Sequence, residues 1–265
     1  MARTWAPRME LLALVCACAW QGQALASVTA PPAPRPTPQV AAPQASGPPT
    51  QDAEADAPVS PADLAKARAR ADAVIAKAHA EAYFTNITDG AAPKVRHKAS
   101  GMECVFGVDD PAFLYIYSTP GVVQGEDVSC SSASTLGNGE TIVLTLYATR
   151  PPKLDDLQPL LDRMVSELKS DMPDAAPSPD RFTSLNLAAK KGADVPTHRS
   201  ARFQATEQGH PVFARAAVGV VNGWEVSQRT TAPLNEAHAA DTMSEVILGV
   251  AMADVFYAKT DTAAP

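Results

Sequence analysis

Between His198 and Thr231, apolar and polar positions alternate with a period of two, the repeat of a strand with one buried face. Ala201, Phe203 and Ala205 alternate with Arg202, Gln204 and Thr206. Further along, Val218–Val221 and Trp224–Ser227 flank the dipeptide Asn222-Gly223. A two-residue type I′ turn needs positive φ at both central positions, and Asn-Gly tolerates this best. The turn fixes a register in which Val221 faces Trp224, Gly219 faces Val226 and Ala217 faces Gln228. A second turn is expected in Glu207–Pro211. The pattern predicts a three-stranded antiparallel meander around which the rest of the chain is organised.

Upstream, Ser60 offers a helix N-cap, Pro61 suits the first helical position, and Asp63 stands where a capping box places a carboxylate. Leu64, Ala67, Ala71, Val74, Ile75, Ala78 and Ala82 form a narrow, mostly alanine stripe, so residues 60–84 are expected to form an Ala-rich helix docked on the domain. Strands are predicted around Cys104, over Phe113–Tyr117, over Asp127–Ser132 and over Thr141–Tyr147, with a hairpin turn at Gly137-Asn138-Gly139. Leu157, Leu160, Leu161, Met164, Val165 and Leu168 have helical spacing and are stopped by Met172-Pro173. Phe182–Lys190 is a further strand candidate. Asn235 is placed to cap a last helix whose buried side is expected to be Ala240, Met243, Ile247, Val250 and Phe256.

Strands, helix, strands, helix is the order of an α+β fold in which an antiparallel sheet is covered by helices. The expected domain spans 86–258, preceded by the Ala-rich helix and followed by a disordered tail at 259–265. Residues 27–59 are rich in Pro and Ala with few large apolar side chains, which predicts a disordered, partly polyproline II linker. Residues 1–26 carry Arg3 and Arg8, a short apolar run and Ala24-Leu25-Ala26, the pattern of a signal peptide cleaved near Ala26. Lipoprotein processing at Cys18 is the alternative, and Val15-Cys16-Ala17 matches its pattern poorly. No later segment reads as transmembrane.

Charge and cysteine usage sharpen this picture. Removal of residues 1–26 takes away Arg3, Arg8 and Glu10 and moves the formal charge from −7 to −8. An acidic chain of this kind argues against nonspecific nucleic-acid binding. Cys104 and Cys130 remain, an even pair in an exported chain, and are expected to form a disulfide.

The order of elements over roughly residues 86–258 resembles that of Mog1/PsbP-like domains, which implies a binding or assembly factor. The run His97–Cys104 resembles one found in uncharacterised exported proteins of alphaproteobacteria, which implies a periplasmic domain and brings no catalytic residues.

Catalytic motifs are absent from the sequence. There is no Gly-x-Ser-x-Gly elbow, phosphate loop or dinucleotide fingerprint, and His79, His97, His198, His210 and His238 lack metal-ligand spacing. No metal or cofactor is expected. Ser100 and Ser129 read as structural serines, and Asp109-Asp110, Glu126-Asp127 and Asp155-Asp156 as solvated turn and helix-start charges. One constellation remains: Arg199, Arg202, Arg215 and Arg229 on the meander, with Trp224. Its functional reading is a site for a small anionic ligand or an envelope protein partner, because Arg favours carboxylates and phosphates and Arg and Trp anchor interfaces. The alternative is a solvated sheet face whose arginines pair locally with Glu207, with Glu225 or with nothing. The expectation is a periplasmic or secreted, non-enzymatic binding or assembly module of the cell envelope. A hydrolase assembled from scattered residues and a self-associating structural protein are the other readings.

Overall fold

Among the described residues, the meander is the centre of a seven-stranded, wholly antiparallel sheet in the order β4-β5-β6-β10-β9-β8-β7. These strands are β4 (Ala112–Ile116), β5 (Asp127–Thr135), β6 (Thr141–Thr149), β7 (Ala176–Pro177), β8 (His198–Glu207), β9 (His210–Val221) and β10 (Trp224–Pro233). A separate small sheet consists of β1 (Phe84–Asn86), β2 (Lys94–His97) and β3 (Glu103–Val105). Helix α1 (Pro61–Lys77) precedes both sheets, α2 (Leu157–Asp171) lies between β6 and β7, and α3 (Ala237–Asp261) follows β10. The chain is therefore α+β. The computed structural model describes residues 59–136, 138–180 and 197–261, all within the unit Pro58–Pro265.

The register follows from the turn. Val221 pairs with Trp224, Gly219 with Val226 and Ala217 with Gln228. Asn222 and Gly223 both have positive φ, 50° and 85°, as a type I′ turn requires. Gln208 and Gly209, at 52° and 85°, join β8 to β9 in the same way. Asn222 also donates through Nδ2 to the carbonyls of Val255 and Phe256, at 3.1 and 3.0 Å, and so ties the turn to α3.

Because side chains alternate across a sheet, its two faces carry different cores. On one face Phe203, Ala205, Ala214, Ala216 and Val218 meet Leu160, Leu161, Met164 and Leu168 of α2. On the other, Val226, Leu144, Leu146 and Val128 pack with the small sheet, α1 and α3. Helix α3 comes very close to β9: a Cβ on Gly219 would stand 2.4 Å from the Met252 methyl, so only glycine fits there without displacing it. On the α2-side face of β4, Phe113 and Tyr115 are exposed and stack with Tyr117, centroids 6.4 and 6.2 Å apart, while Ser129 and Tyr147 on the same face of β5 and β6 are buried.

Several boundaries differ from the expectation. Helix α1 ends at Lys77, short of residue 84, because His79 adopts a left-handed φ of 51° and the chain turns into β1. Its stripe is docked nonetheless, with Ala67, Ala71, Val74 and Ile75 buried, while Ala82 is exposed beyond the helix end. Ser60 caps it, accepting from the Asp63 amide at 3.1 Å. The region around Cys104 is two strands, β2 and β3, joined by a turn. Asn235 caps nothing: it lies in a 3-10 turn, Leu234–Glu236, and its side chain bonds Glu140. Helix α3 continues to Asp261, past the start expected for the tail. The strand candidate Phe182–Lys190 and the signal peptide lie outside the described residues.

Candidate functional site

Helix α3 crosses the sheet with its inward stripe formed by Asp241, Glu245, Leu248, Met252 and Val255, all buried. The expected stripe included Val250, which is 52% exposed. The other expected members do face inward, Ala240 buried and Met243, Ile247 and Phe256 packed against the core, but the stripe also takes in two carboxylates that meet guanidiniums beneath the helix. Arg202 of β8 and Arg215 of β9 are directly paired in the sheet and share the α3 face. Arg202 Nε donates to Asp241 Oδ1 at 2.6 Å, and its Nη2 donates to Asp241 Oδ2 at 3.1 Å and Glu245 Oε1 at 2.8 Å. Arg215, with no exposed side-chain surface, lies 2.7 Å from Glu245 and 3.2 Å from Asp241, and Nη1 donates to Gln228 Oε1. His198 Nε2 completes the cluster at 2.8 Å from Glu245 Oε2.

The cluster balances charge, two guanidiniums against two carboxylates, but Arg215 Nε and Nη2 approach their carboxylates without hydrogen-bond geometry and Gln228 Nε2 has no partner among the described residues. Burial alone would raise Glu245, but the His198 hydrogen bond and the Arg215 charge overcome it and hold the carboxyl down at about 2. Burial draws Arg215 below its ordinary value against the pull of Glu245 and Asp241. Such a cluster gains little over well-packed apolar side chains and is costly to break at one member.

The other sequence candidates separate. Arg199 and Arg229 project from the α2 face, where Arg199 bonds Gln158 at 2.8 Å and Arg229 pairs with Asp171 at 2.8 Å and Glu167 at 3.6 Å. Glu225, expected as a partner for the meander arginines, is bound by Arg163 of α2 at 2.6 Å. Trp224 is buried, edge-on to the His97 ring at 5.7 Å. Thus Arg202 and Arg215 come together, while Arg199, Arg229 and Trp224 occupy separate environments.

His97 is fully buried. Its Nδ1 lies 2.8 Å from Ser100 Oγ and its Nε2 lies 2.8 Å from the Gly125 carbonyl. Ser100 Oγ also accepts from the Met102 amide at 3.1 Å. Burial drives His97 down to about 4, against the Gly125 hydrogen bond and the Glu126 charge. A neutral ring that donates to Gly125 and accepts from Ser100 fits every distance. This serine–histidine pair is spent on fixing the β2–β3 turn, in which both side chains are buried.

A concave site lies further along α3. A cavity of about 260 Å³ opens between β3, the β5–β6 part of the sheet and the helix. The Cys104–Cys130 disulfide forms part of its wall and links the small sheet to the large one, with Cα atoms 6.3 Å apart. Leu144, Leu146 and Phe106 add apolar surface, and Val246 and Val250 of α3 border it while partly exposed. The lining holds two charged side chains, Glu103 and Asp254, both acidic. Glu103 is engaged by Arg96 Nε at 3.0 Å. Asp254 Oδ2 is buried with no hydrogen-bond partner. Burial pushes Asp254 up to about 6, reinforced by the Glu103 charge and opposed by the Glu103 amide, Arg96 and Lys94. The sequence carried one unread signal for this arrangement. Asp241 and Glu245 stand four apart in line with Leu248, Met252 and Val255, a carboxylate pair in an apolar stripe that requires buried cations opposite.

Among the described residues, no group of three His, Cys, Asp or Glu side chains is placed to hold a metal, and no helix is long and apolar enough to cross a membrane. No family model matches the chain, and no curated protein matches it. Among solved structures it is similar to LpqN of Mycobacterium tuberculosis, described as involved in cell envelope biogenesis, with 14% identity, a TM-score of 0.28, and coverage of 54% of this chain and 82% of that one. At those values the likeness carries no functional argument. The resemblance to Mog1/PsbP-like domains stays at the level of class, an antiparallel sheet covered by helices.

Proposed function

We propose that the protein is an exported, non-enzymatic binding module of the cell envelope that holds a small, largely apolar ligand between α3 and the sheet. The observation that carries this reading is the cavity of about 260 Å³ walled by the disulfide, Phe106, Leu144 and Leu146. Ligand sites are typically concave and mostly apolar with a few polar groups, and a dry apolar cavity of roughly 150 Å³ already accepts benzene. Two features support the location. The first residues have the pattern of a signal peptide, and a disulfide persists in oxidising compartments. In this reading Arg202 and Arg215 are positioning residues: they set the rotation of α3, and α3 sets the outer wall of the cavity.

The test is native mass spectrometry of the protein gently purified from its own envelope, alongside Val250→Trp, which fills the cavity mouth. The expected result is a retained apolar molecule in the parent that the Trp variant loses. A bare parent chain whose melting temperature does not respond to 1-octanol in either form would rule the reading out.

A further inference from the structure

The cavity has a length and a capacity, and the two can be compared. On the helix side it is lined by Val246, Ile247, Val250, Ala251 and Asp254, one face of α3. From Val246 to Asp254 that face covers about 12 Å of helix, at roughly 1.5 Å of rise per residue. The volume of about 260 Å³ is an independent quantity. A cavity of roughly 150 Å³ takes the six carbons of benzene, so this one takes roughly ten carbons. In an extended chain ten carbons reach about 11 Å, at the roughly 1.2 Å per bond of an extended backbone. The same carbons fused into two rings are much shorter and leave part of the length empty. Volume and length therefore agree on carbons set in line. The rim points the same way. Val105 of β3 is 55% exposed, and Val246 and Val250 of α3 are 38% and 52% exposed, so both sides carry apolar surface out to solvent.

Resting on the reading of this cavity as the ligand site, we infer that it takes one unbranched hydrocarbon chain of about ten carbons, laid along α3 with its head group outside the valine rim. The chain is selected by length and shape. The lining carboxylates set no charge preference, because Glu103 is engaged by Arg96 and Asp254 Oδ2 is buried. Each methylene that leaves water for the disulfide, Phe106, Leu144 and Leu146 raises affinity about fourfold. Methylenes beyond the end of the cavity lie on the half-exposed valines and add less.

The experiment is calorimetry on the full protein and its Val250→Trp variant. The probes are 1-hexanol, 1-octanol, 1-decanol and 1-dodecanol, then decahydro-2-naphthol, which has the carbon count of decanol in two rings, and decylphosphocholine below its micelle-forming concentration. Affinity is expected to rise about fourfold per methylene up to decanol and by less beyond it. Decahydro-2-naphthol should bind on the order of tenfold more weakly than decanol, the loss of about two methylenes of contact. Decylphosphocholine should bind within about threefold of decanol, because its head group stays in water. Val250→Trp should weaken every chain. Three results overturn the chain inference and leave the cavity reading standing: decahydro-2-naphthol binding as tightly as decanol, a rise that ends at hexanol, or exclusion of decylphosphocholine while decanol binds. Binding of no probe, or binding that Val250→Trp leaves unchanged, overturns both.

Discussion

Helix α3 carries three inward carboxylates in two opposite settings. Asp241 and Glu245, near its start, are enclosed by Arg202, Arg215 and His198. Asp254, three turns on, faces an apolar cavity with one oxygen unpartnered. Burial raises the carboxyl pKa at both ends. At Glu245 the cations reverse it and hold the group at about 2, and at Asp254 nothing does, so that group stays at about 6. One end of the helix is thus an ion-pair cluster of opposite charges, and the other carries a carboxylate beside an apolar hollow without a cation in contact among the described residues. The difference teaches what decides the state of a buried charge. Buried charge met by opposite charge is held in its charged form, and a buried carboxylate without such a partner is pushed towards its neutral form.

The cluster can be broken most sharply at Arg215. Arg215→Met leaves Asp241 and Glu245 with one guanidinium in a dry site and should cost about 3–5 kcal/mol, read as a lower urea midpoint with an unchanged slope. Replacing Arg202, Arg215, Asp241 and Glu245 together by apolar side chains of matching size should cost far less. If the single and the fourfold variants were equally unstable, the cluster would be contributing ordinary packing.

The disulfide tests the cavity end. Cys104→Ser with Cys130→Ser removes a link across a sequence separation of 26 and should lower stability by about 3 kcal/mol. Because the bond also forms part of the cavity wall, ligand binding should weaken in the same variant, measured by calorimetry below its melting temperature.

The buried imidazole gives a pH signature that neither end of α3 shares. His97 stays neutral in the fold down to about pH 4, whereas the unfolded chain takes up its proton near 6.5. Stability from this group is complete above pH 6.5 and is lost as pH falls towards 4, by up to about 3 kcal/mol. His97→Gln should flatten that slope in urea titrations across the window, whatever its effect at pH 7.

Asp254 predicts the smallest effect and the opposite sign. Its folded value of about 6 exceeds its ordinary 3.8, so its contribution is fully present below pH 3.8 and lost as pH rises through 6. With its solvent contact discounted, Asp254→Asn should stabilise the protein at pH 7.5 by about 1 kcal/mol. Glu245→Gln should destabilise it at the same pH. The pair of variants on one helix, with shifts of opposite direction, is the most direct check on the comparison.

Short-range features were legible in the sequence. Asn222-Gly223 requires positive φ at two positions, which leaves one tight turn and therefore one register for β9 and β10, and the observed pairs agree. The 3.6-residue spacing from Leu157 to Leu168 likewise defined α2, and an even cysteine pair pointed to the bond now seen. Which face of α3 turns inward was legible only in part: Ala240, Met243, Ile247 and Phe256 do meet the core, and Val250 does not. Apolar spacing alone favoured Val250, but Arg202 and Arg215 stand 39 and 30 residues before Asp241 and 245 respectively only along the chain; in space they lie under the helix and draw Asp241 and Glu245 down. The cavity was illegible for the same reason. Its walls come from β3, β5, β6 and α3, and Asp254 is an ordinary helix carboxylate until β3 closes over it. Local sequence determined the meander turns, the longer strands, the body of each helix and the disulfide, because those depend on neighbours within a few bonds or on a single pairing. Tertiary structure alone decided which buried charges meet an opposite charge and which does not, because burial and Coulomb interaction depend on distances that only the packed sheet and helix establish.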